Sequence, residues 1–538
     1  MNIRIKLKGG SITDYQDVMK IADFVGCSED GSHVFTLNLL KCARIPLDEL
    51  DEILSRLGVH LPDYIYEKIA SLRDYDVRIS IKGSDLLIEA VEIGELEFLV
   101  KEGYAILEGN TLTYRAPPYR LWDLVKTLEE KGFKVKVDID LSLSIGMTIR
   151  ERFTLRDYQK RAYEAWSKYG RGVIVLPVGS GKTFIALKAI ADLKLKTLVL
   201  VPTIDLLNQW ADNISKWLDI PKGQIGIFGG GKKEIKDITV MTYDSAYINA
   251  EMVGKKFGLI IADECHHAVS QSFRRIFMMS IAKYRLGLTA TPFRSDGLHK
   301  LYDEIIGPIV YQVEMEELQK RGYLAEHVEK RIYVSLTPEE KKEYERLMNI
   351  YLKYCNEVLP HIEDPRERFK EVLKLCIKDP KAREAIRARH KARQIALSAE
   401  KKIKIVEELL KKFANEKVII FSRYTDIVRE ISRRFFIPKI LHDTPKDERD
   451  LILRYFKEGK ITKIATAMAL DEGVDVPDAT VAIVISGTGS NREYIQRLGR
   501  ILRPKDKKAI LIELITRHTI DHSLAYRRRR LELFEVWE

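Results

Sequence analysis

From about residue 150 the chain alternates between short apolar runs and longer stretches with apolar residues at helical spacing. GVIVLP (172–177), TLVLVP (197–202), ITVMTY (238–243) and LIIADE (259–264) are almost continuously apolar over the length of a buried strand. Strands buried on both faces belong to parallel sheets whose two sides are covered by helices. A second series starts near residue 417 with KVIIFS (417–422), IPKILH (437–442), KIATA (463–467), VAIVIS (481–486) and AILIEL (509–514). The pattern predicts two α/β domains. Residues 337–400 interrupt them with helical text, and Leu347, Tyr351, Tyr354 and Val358 fall on one face of the first helix.

The first 145 residues have a different texture. VRISIKG (77–83), LEFLV (96–100), YAILEG (104–109) and TLTYRA (111–116) read as strands separated by polar turns. LWDLVKTLEEKG (121–132) reads as a helix that stops at Gly132. The expected organisation is an accessory module over 1–70 and an α+β module over 71–147. The first α/β domain spans 148–328, and the second is built from 329–336 and 399–520. A helical insertion covers 337–398, and a basic tail covers 521–538.

Composition narrows the class. A chain of 538 residues exceeds one core, and 45% hydrophobic with 31% charged residues describes a globular protein. No apolar run approaches the roughly 18 residues of a membrane span. The start, MNIRIKLKGG, lacks the apolar centre of a secretory signal, so a cytoplasmic protein without membrane attachment is expected. Five scattered cysteines with no C-x-x-C pair argue against a disulfide framework, a zinc module or an iron–sulfur cluster. The net charge of +11 suits a polyanionic partner, although it also serves solubility alone. The insertion sharpens that point, because KDPKAREAIRARHKAR (378–393) holds seven Lys/Arg against two acids. It is either a solvated helix face or a gripping surface.

The chemistry begins at LPVGSGKT (176–183), between a strand and a helix. Glycines let a backbone wrap around phosphate, and the following helix N-terminus favours negative charge. Leu176 stands where the strict phosphate-loop pattern has glycine, but Gly179, Ser180, Gly181, Lys182 and Thr183 are intact. Lys182 is expected at the β/γ-phosphates of a nucleoside triphosphate, and Thr183 at its Mg²⁺. Asp263 and Glu264 end a buried strand, where ligands bind in open α/β sheets. Asp263 suits the Mg²⁺–water shell and Glu264 the attacking water. Zinc at Asp263–His267 is the competing reading, but adjacent residues project in different directions and no second Cys/His cluster is near.

The sequence resembles the superfamily 2 helicases and translocases. The resemblance runs in order through LRDYQ (155–159), PVGSGKT (177–183), VPTIDLLNQW (201–210), MTYDSA (241–246), DECH (263–266), LTATP (288–292), IIFSRYTD (419–426), TAMALDEGVDVPDA (466–479) and QRLGRILRP (496–504). It implies two RecA-like motor domains with ATP bound between them. Arg156 and Gln159 would contact the nucleotide, with Gln159 reading adenine. Gln496, Arg500 and Arg503 would act in catalysis, the two arginines as fingers on the transferring phosphoryl group. His266, Thr289 and Thr291 would couple ATP state to DNA grip. Thr203, Thr242, Arg423 and Thr466 would face DNA, helix capping being the alternative for the threonines. Gly473 and Asp475 would shape the loop between DNA and γ-phosphate.

Within that superfamily, LDEGVDVPDATVAIVISGTGSNREYIQRLGRILRP (470–504), IADECHHAVSQSFRRI (261–276) and RLGLTAT (285–291) resemble the XPB type, archaeal members in particular. The resemblance implies a damage-recognition module before the motor and a helical thumb within it, for which 71–147 and 337–398 are the natural places. An interaction domain for a protein partner is the alternative for the N-terminal region. The family's Arg-Glu-Asp loop reads Arg294-Ser295-Asp296 here, which removes one carboxylate beside DNA. The expected activity is ATP-dependent 3′-to-5′ translocation or unwinding of DNA by a monomeric motor, in excision repair or transcription. A duplex translocase that leaves strands paired, and an ATP-gated scaffold for a nuclease partner, are the alternatives.

Overall fold

The computed structural model describes residues 3–71, 75–90, 96–108, 113–294, 296–324, 327–467, 479–486 and 508–523. Two sheets carry the motor region, and their strands coincide with the apolar runs. In the first, β1 (Arg171–Val175), β2 (Thr197–Val201), β3 (Ile225–Gly229), β4 (Lys232–Lys233), β5 (Ile238–Thr242), β6 (Leu259–Asp263), β7 (Tyr284–Thr289) and β8 (Ile309–Gln312) lie in the order β4-β3-β5-β2-β6-β7-β1-β8. All neighbours are parallel except the β3–β4 hairpin. Covering helices include α1 (Asp157–Ser167), α2 (Lys182–Leu193) and α3 (Ile204–Leu218). The register sets Asp263 beside Leu288 and Thr289 beside Val175, so three strands end level at one edge.

The second sheet is wholly parallel. It contains β9 (His327–Val334), β10 (Val418–Phe421), β11 (Lys439–Ile440), β12 (Lys463–Thr466), β13 (Val481–Val484) and β14 (Ala509–Thr516), ordered β9-β14-β13-β10-β12-β11. Between β9 and β10 stand α4 (Pro338–Val358), α5 (Pro365–Leu375), α6 (Pro380–Leu397) and α7 (Glu400–Lys412). Leu347, Tyr351 and Tyr354 are buried on α4 as the spacing requires, but Val358 is 41% exposed because the helix ends there. Helix α6 buries Ala382, Ala385, Ala388, Ala392 and Ala396. Small residues at helical spacing let α4 and α6 approach closely and leave the long cations at the margins. There the Arg389 guanidinium lies 4.1 Å from the Phe369 ring centre.

The N-terminal region forms two smaller sheets. One orders Arg4–Leu7, His33–Leu37 and Ala22–Cys27; the other orders Ile106–Leu107, Thr113–Ala116, Asp85–Ala90, Val77–Lys82 and Val135–Asp138. The expected strand LEFLV is instead part of a helix, Glu97–Lys101. Leu99 is its buried residue and its N-cap Leu96, three residues before, is buried too, while Glu97 and Lys101 complement the helix dipole at its two ends. The second unit is fastened to the first motor sheet. Trp122 Nε1 donates to Ile281 O at 2.8 Å, and Arg171 reaches Asp123 at 3.0 Å. Arg285, completely buried, donates to Ala282 O, Ile305 O and Tyr119 O at 2.9–3.2 Å. Burial pushes its guanidinium down to about 9.

Among the described residues no helix is long and apolar enough to cross a membrane. A buried ion pair closes the second sheet: Lys402 Nζ on α7 reaches Asp521 Oδ2 at 2.7 Å and Ile485 O at 2.6 Å, and Thr516 N donates to the same carboxylate at 2.8 Å. Removing one partner of such a pair strands the other charge in a dry site. Asp521→Ala is therefore expected to destabilise this domain by about 3–5 kcal/mol, read as a lowered urea midpoint, and Asp521→Asn by less.

Candidate nucleotide and nucleic-acid site

The level ends of β1, β6 and β7 bring the phosphate loop, the acid pair and Thr289 together. Gly179 and Gly181 adopt φ of 82° and 77°, which curls the loop inward before α2 begins. A Cβ on Gly181 would stand 2.7 Å from Gln159 Nε2, so the backbone there is pressed against its support. Gln159 is that support. Its amide donates to Ser180 O at 2.8 Å and Gly181 O at 3.3 Å, while its oxygen accepts from Arg156 N at 2.9 Å. Its amide thus braces the loop from beneath. Arg156 NH1 reaches Tyr323 O at 3.4 Å. Lys182 Nζ folds back onto Leu176 O at 3.1 Å.

Opposite the loop, Asp263 is only 8% exposed. Its Oδ2 accepts from the indole of Trp210 at 2.7 Å, and its Oδ1 from Glu264 N at 3.0 Å. Glu264 takes a left-handed φ of 47°, a conformation that costs a non-glycine residue about 1 kcal/mol or more. That turn aims its carboxylate back over the strand end. Glu264 Oε2 and Thr291 Oγ1 are buried and, among the described residues, make no hydrogen bond. Buried oxygens left without a hydrogen bond, just past strand ends that lie level with the end of β1, fit a polar ligand bearing phosphate and water. The donor set, hydroxyl and carboxylate, fits Mg²⁺ rather than a thiophilic metal.

The next contacts lead away from the nucleotide. His266 Nδ1 lies 3.1 Å from Thr289 Oγ1 and 3.5 Å from Glu264 Oε2. Thr289 Oγ1 also accepts from Thr291 N at 3.0 Å. Arg294 donates to His266 O at 2.5 Å, and its fork grips Asp296 through Nε at 3.0 Å and NH2 at 2.6 Å. Arg294 and Asp296, expected at DNA, are thus bound to one another and to the acid-bearing turn. Cys265 is buried with its Sγ close to Gly287.

The expected DNA-facing hydroxyls are placed unevenly. Thr203 caps α3 by accepting from Leu206 N at 3.3 Å, and Thr242 caps the helix Tyr243–Ile248 by accepting from Ser245 N at 3.3 Å. Both therefore open helices at the sheet edge. Thr466 is fully buried and donates to Ile440 O at 3.0 Å, so its hydroxyl does not face a groove in this structure. Arg423 N donates to Ser486 Oγ at 2.9 Å, and the guanidinium of Arg393 from the insertion is pushed below its usual range by burial and by Arg423 beside it. Gly473, Asp475, Gln496, Arg500 and Arg503 lie outside the described residues, as does Ser295.

Sequence reasoning passed over Trp210. It sits inside VPTIDLLNQW at helical spacing with Leu207 and Ile214, so it reads as core. The signal available was that an indole N–H in a core must find an acceptor.

Burial, and then the charge of Glu264, push Asp263 up to about 6 from its ordinary 3.8. Between those values the folded chain holds a proton that the unfolded chain releases, so folding loses stability as pH rises through that window. Asp263→Asn removes the penalty. The nucleotide-free variant is expected to melt higher than the wild type above about pH 6, with the gain fading as pH falls towards 4, checked by calorimetry across pH.

Comparison with known proteins agrees with this layout. Residues 152–294 match the type III restriction enzyme res subunit family, and residues 401–505 match the helicase conserved C-terminal domain. The chain is 46% identical over 419 residues to the DNA 3′-5′ translocase XPB2 of Sulfurisphaera tokodaii, covering 77% of this chain and 93% of that protein. It is 32% identical to the putative DNA 3′-5′ helicase Rad25 of Haloarcula marismortui, over 76% of this chain and 60% of that one. It is 27% identical to the XPB subunit of general transcription and DNA repair factor IIH of Danio rerio, over 72% of this chain and about half (48%) of that protein. With the order of its motifs, the two parallel sheets and a relative of this identity and coverage, the chain belongs to the XPB family of superfamily 2 helicases.

Proposed function

We propose that this chain is an ATP-dependent DNA translocase and helicase of 3′-to-5′ polarity, working on duplex DNA in excision repair or transcription. The observation that carries the reading is the unbroken line of contacts from Glu264 through His266 and Thr289, with Arg294 bonded to His266 O, away from the phosphate loop. Lys182, freed from Leu176 O, has the reach and charge to hold the terminal phosphates. Mg²⁺ bound with ATP would neutralise charge on the β- and γ-oxygens, with Thr183 and Asp263 as its holders. Glu264 would orient the attacking water and take its proton at Oε2, a buried oxygen that makes no hydrogen bond among the described residues. Movement of Thr289 and Thr291 would then register whether phosphate is present. Gripping through helix-capping loops and basic side chains holds backbone rather than bases, as suits a motor indifferent to sequence.

A specific observation favours a second reading, translocation without strand separation. The guanidinium of Arg294 is already committed to Asp296 and His266 O, and serine replaces the family's intervening glutamate. No carboxylate at 295 remains to compete with a base pair.

Glu264→Gln and Lys182→Ala are each expected to lower DNA-stimulated ATP hydrolysis by about 10²-fold or more, with DNA binding preserved. An ATPase indifferent to DNA overturns the motor. Strand displacement from forks with a 3′ loading strand, and none from 5′ ones, supports the helicase. Displacement of a triplex-forming strand, with no fork opened, selects the translocase.

A further inference from the structure

Helix α3 joins two places in the first motor domain. It starts at Thr203, the expected DNA-facing cap, and Asp205 in its first turn receives Arg449 of the second domain at 3.0 Å. Seven residues beyond Thr203, two helical turns and roughly 10 Å along the axis, Trp210 meets the catalytic edge. It is 2% exposed, and its indole N–H donates to Asp263 Oδ2 at 2.7 Å. The other anchors of Asp263 are local: Glu264 N on Oδ1, and the Tyr243 hydroxyl on the main-chain oxygen at 2.9 Å. Trp210 thus supplies the hydrogen bond by which a separate helix aims the carboxylate. Leu207, Ile214 and Leu218 fill the rest of that buried face with hydrocarbon. An apolar residue would serve packing there equally well, but only a donor can set the direction of a buried carboxylate.

We infer that Trp210 is a positioning residue through which the DNA-facing end of α3 acts on Asp263. A helix transmits displacement of its first turn to its second with little loss, since its hydrogen-bonded turns do not compress. DNA engaged near Thr203, or rupture of the Asp205–Arg449 pair as the domains part, therefore moves the indole relative to Oδ2. The carboxylate changes its presentation to the Mg²⁺–water shell. This route is separate from the one through His266 and Thr289. It rests on the reading of Asp263 as the carboxylate that holds Mg²⁺.

The test uses the full chain and a fluorescent N-methylanthraniloyl ADP, with and without Mg²⁺ and duplex DNA. Trp210→Phe keeps most of the ring volume and removes the donor. The expected result is that the Mg²⁺-dependent gain in ADP affinity falls about tenfold, the scale of one charge-assisted hydrogen bond. Affinity without Mg²⁺ stays the same, and the change in affinity that DNA causes in the wild type shrinks, the remainder being carried through His266 and Thr289. Equal loss with and without Mg²⁺ means mere packing and overturns the inference. So does a DNA effect of undiminished size. Asp263→Asn separates the two layers: if it keeps the Mg²⁺-dependent gain, the reading of the site fails, whereas if it loses that gain and Trp210→Phe does not, only the role of Trp210 fails. Should Trp210→Phe not fold, the wild-type indole ¹⁵N resonance of Trp210, assigned by replacing the four other tryptophans, is followed instead. A shift on adding Mg²⁺-ADP and a further one with DNA support the inference; an unmoved resonance overturns it.

Discussion

A carboxylate held almost dry at the end of a parallel strand is the constraint on which the rest depends. Asp263 at that position is costly, because burial opposes its charge and Glu264 adds a second negative group one residue on. The structure compensates with an indole on one oxygen, a main-chain amide on the other, and Lys182 within electrostatic reach. The amide is local, but the indole comes from α3 and Lys182 from α2, while Asp263 itself ends β6. The three elements must therefore sit in one relative arrangement, or the carboxylate protonates and the site loses its charge.

That requirement explains features that otherwise look incidental. The left-handed turn at Glu264 is strained, yet it is the bend that brings the second carboxylate and His266 to face Thr289 rather than continue the strand. Gln159 and Tyr158 both bond to Ser180 O, so the phosphate loop is fixed from below before any nucleotide arrives. Arg294 fastens the loop after β7 to the turn after β6, so the coupling segments form one network. A network with few independent parts is suited to having two arrangements rather than many.

Much of this was legible in the chain itself. The apolar runs marked the motor strands, because strands buried on both faces must be apolar throughout. The glycines of the phosphate loop and the Asp263–Glu264 pair were recognisable because phosphate chemistry needs those residue types at a strand end. LEFLV was misread as a strand because five residues with apolar character at both ends suit either period; packing of Leu96 and Leu99 on one side decided for a helix. Thr466 shows a second kind of blindness. A threonine in a DNA-facing segment looks the same whether its hydroxyl meets phosphate or, as here, the carbonyl of its partner on the adjacent strand.

Sequence alone determined the fold class, the phosphate loop, the acid pair and the family, since each is written in residues near one another or in a fixed order. Only the tertiary structure decided which groups meet. That Trp210 holds Asp263 from 53 residues away, that Arg294 reaches the carbonyl of His266, and that Gln159 braces a loop all depend on strand register and helix placement. A hydrogen bond needs two partners within about 3 Å and properly aligned, and no pattern along one chain specifies a distance between its separate parts.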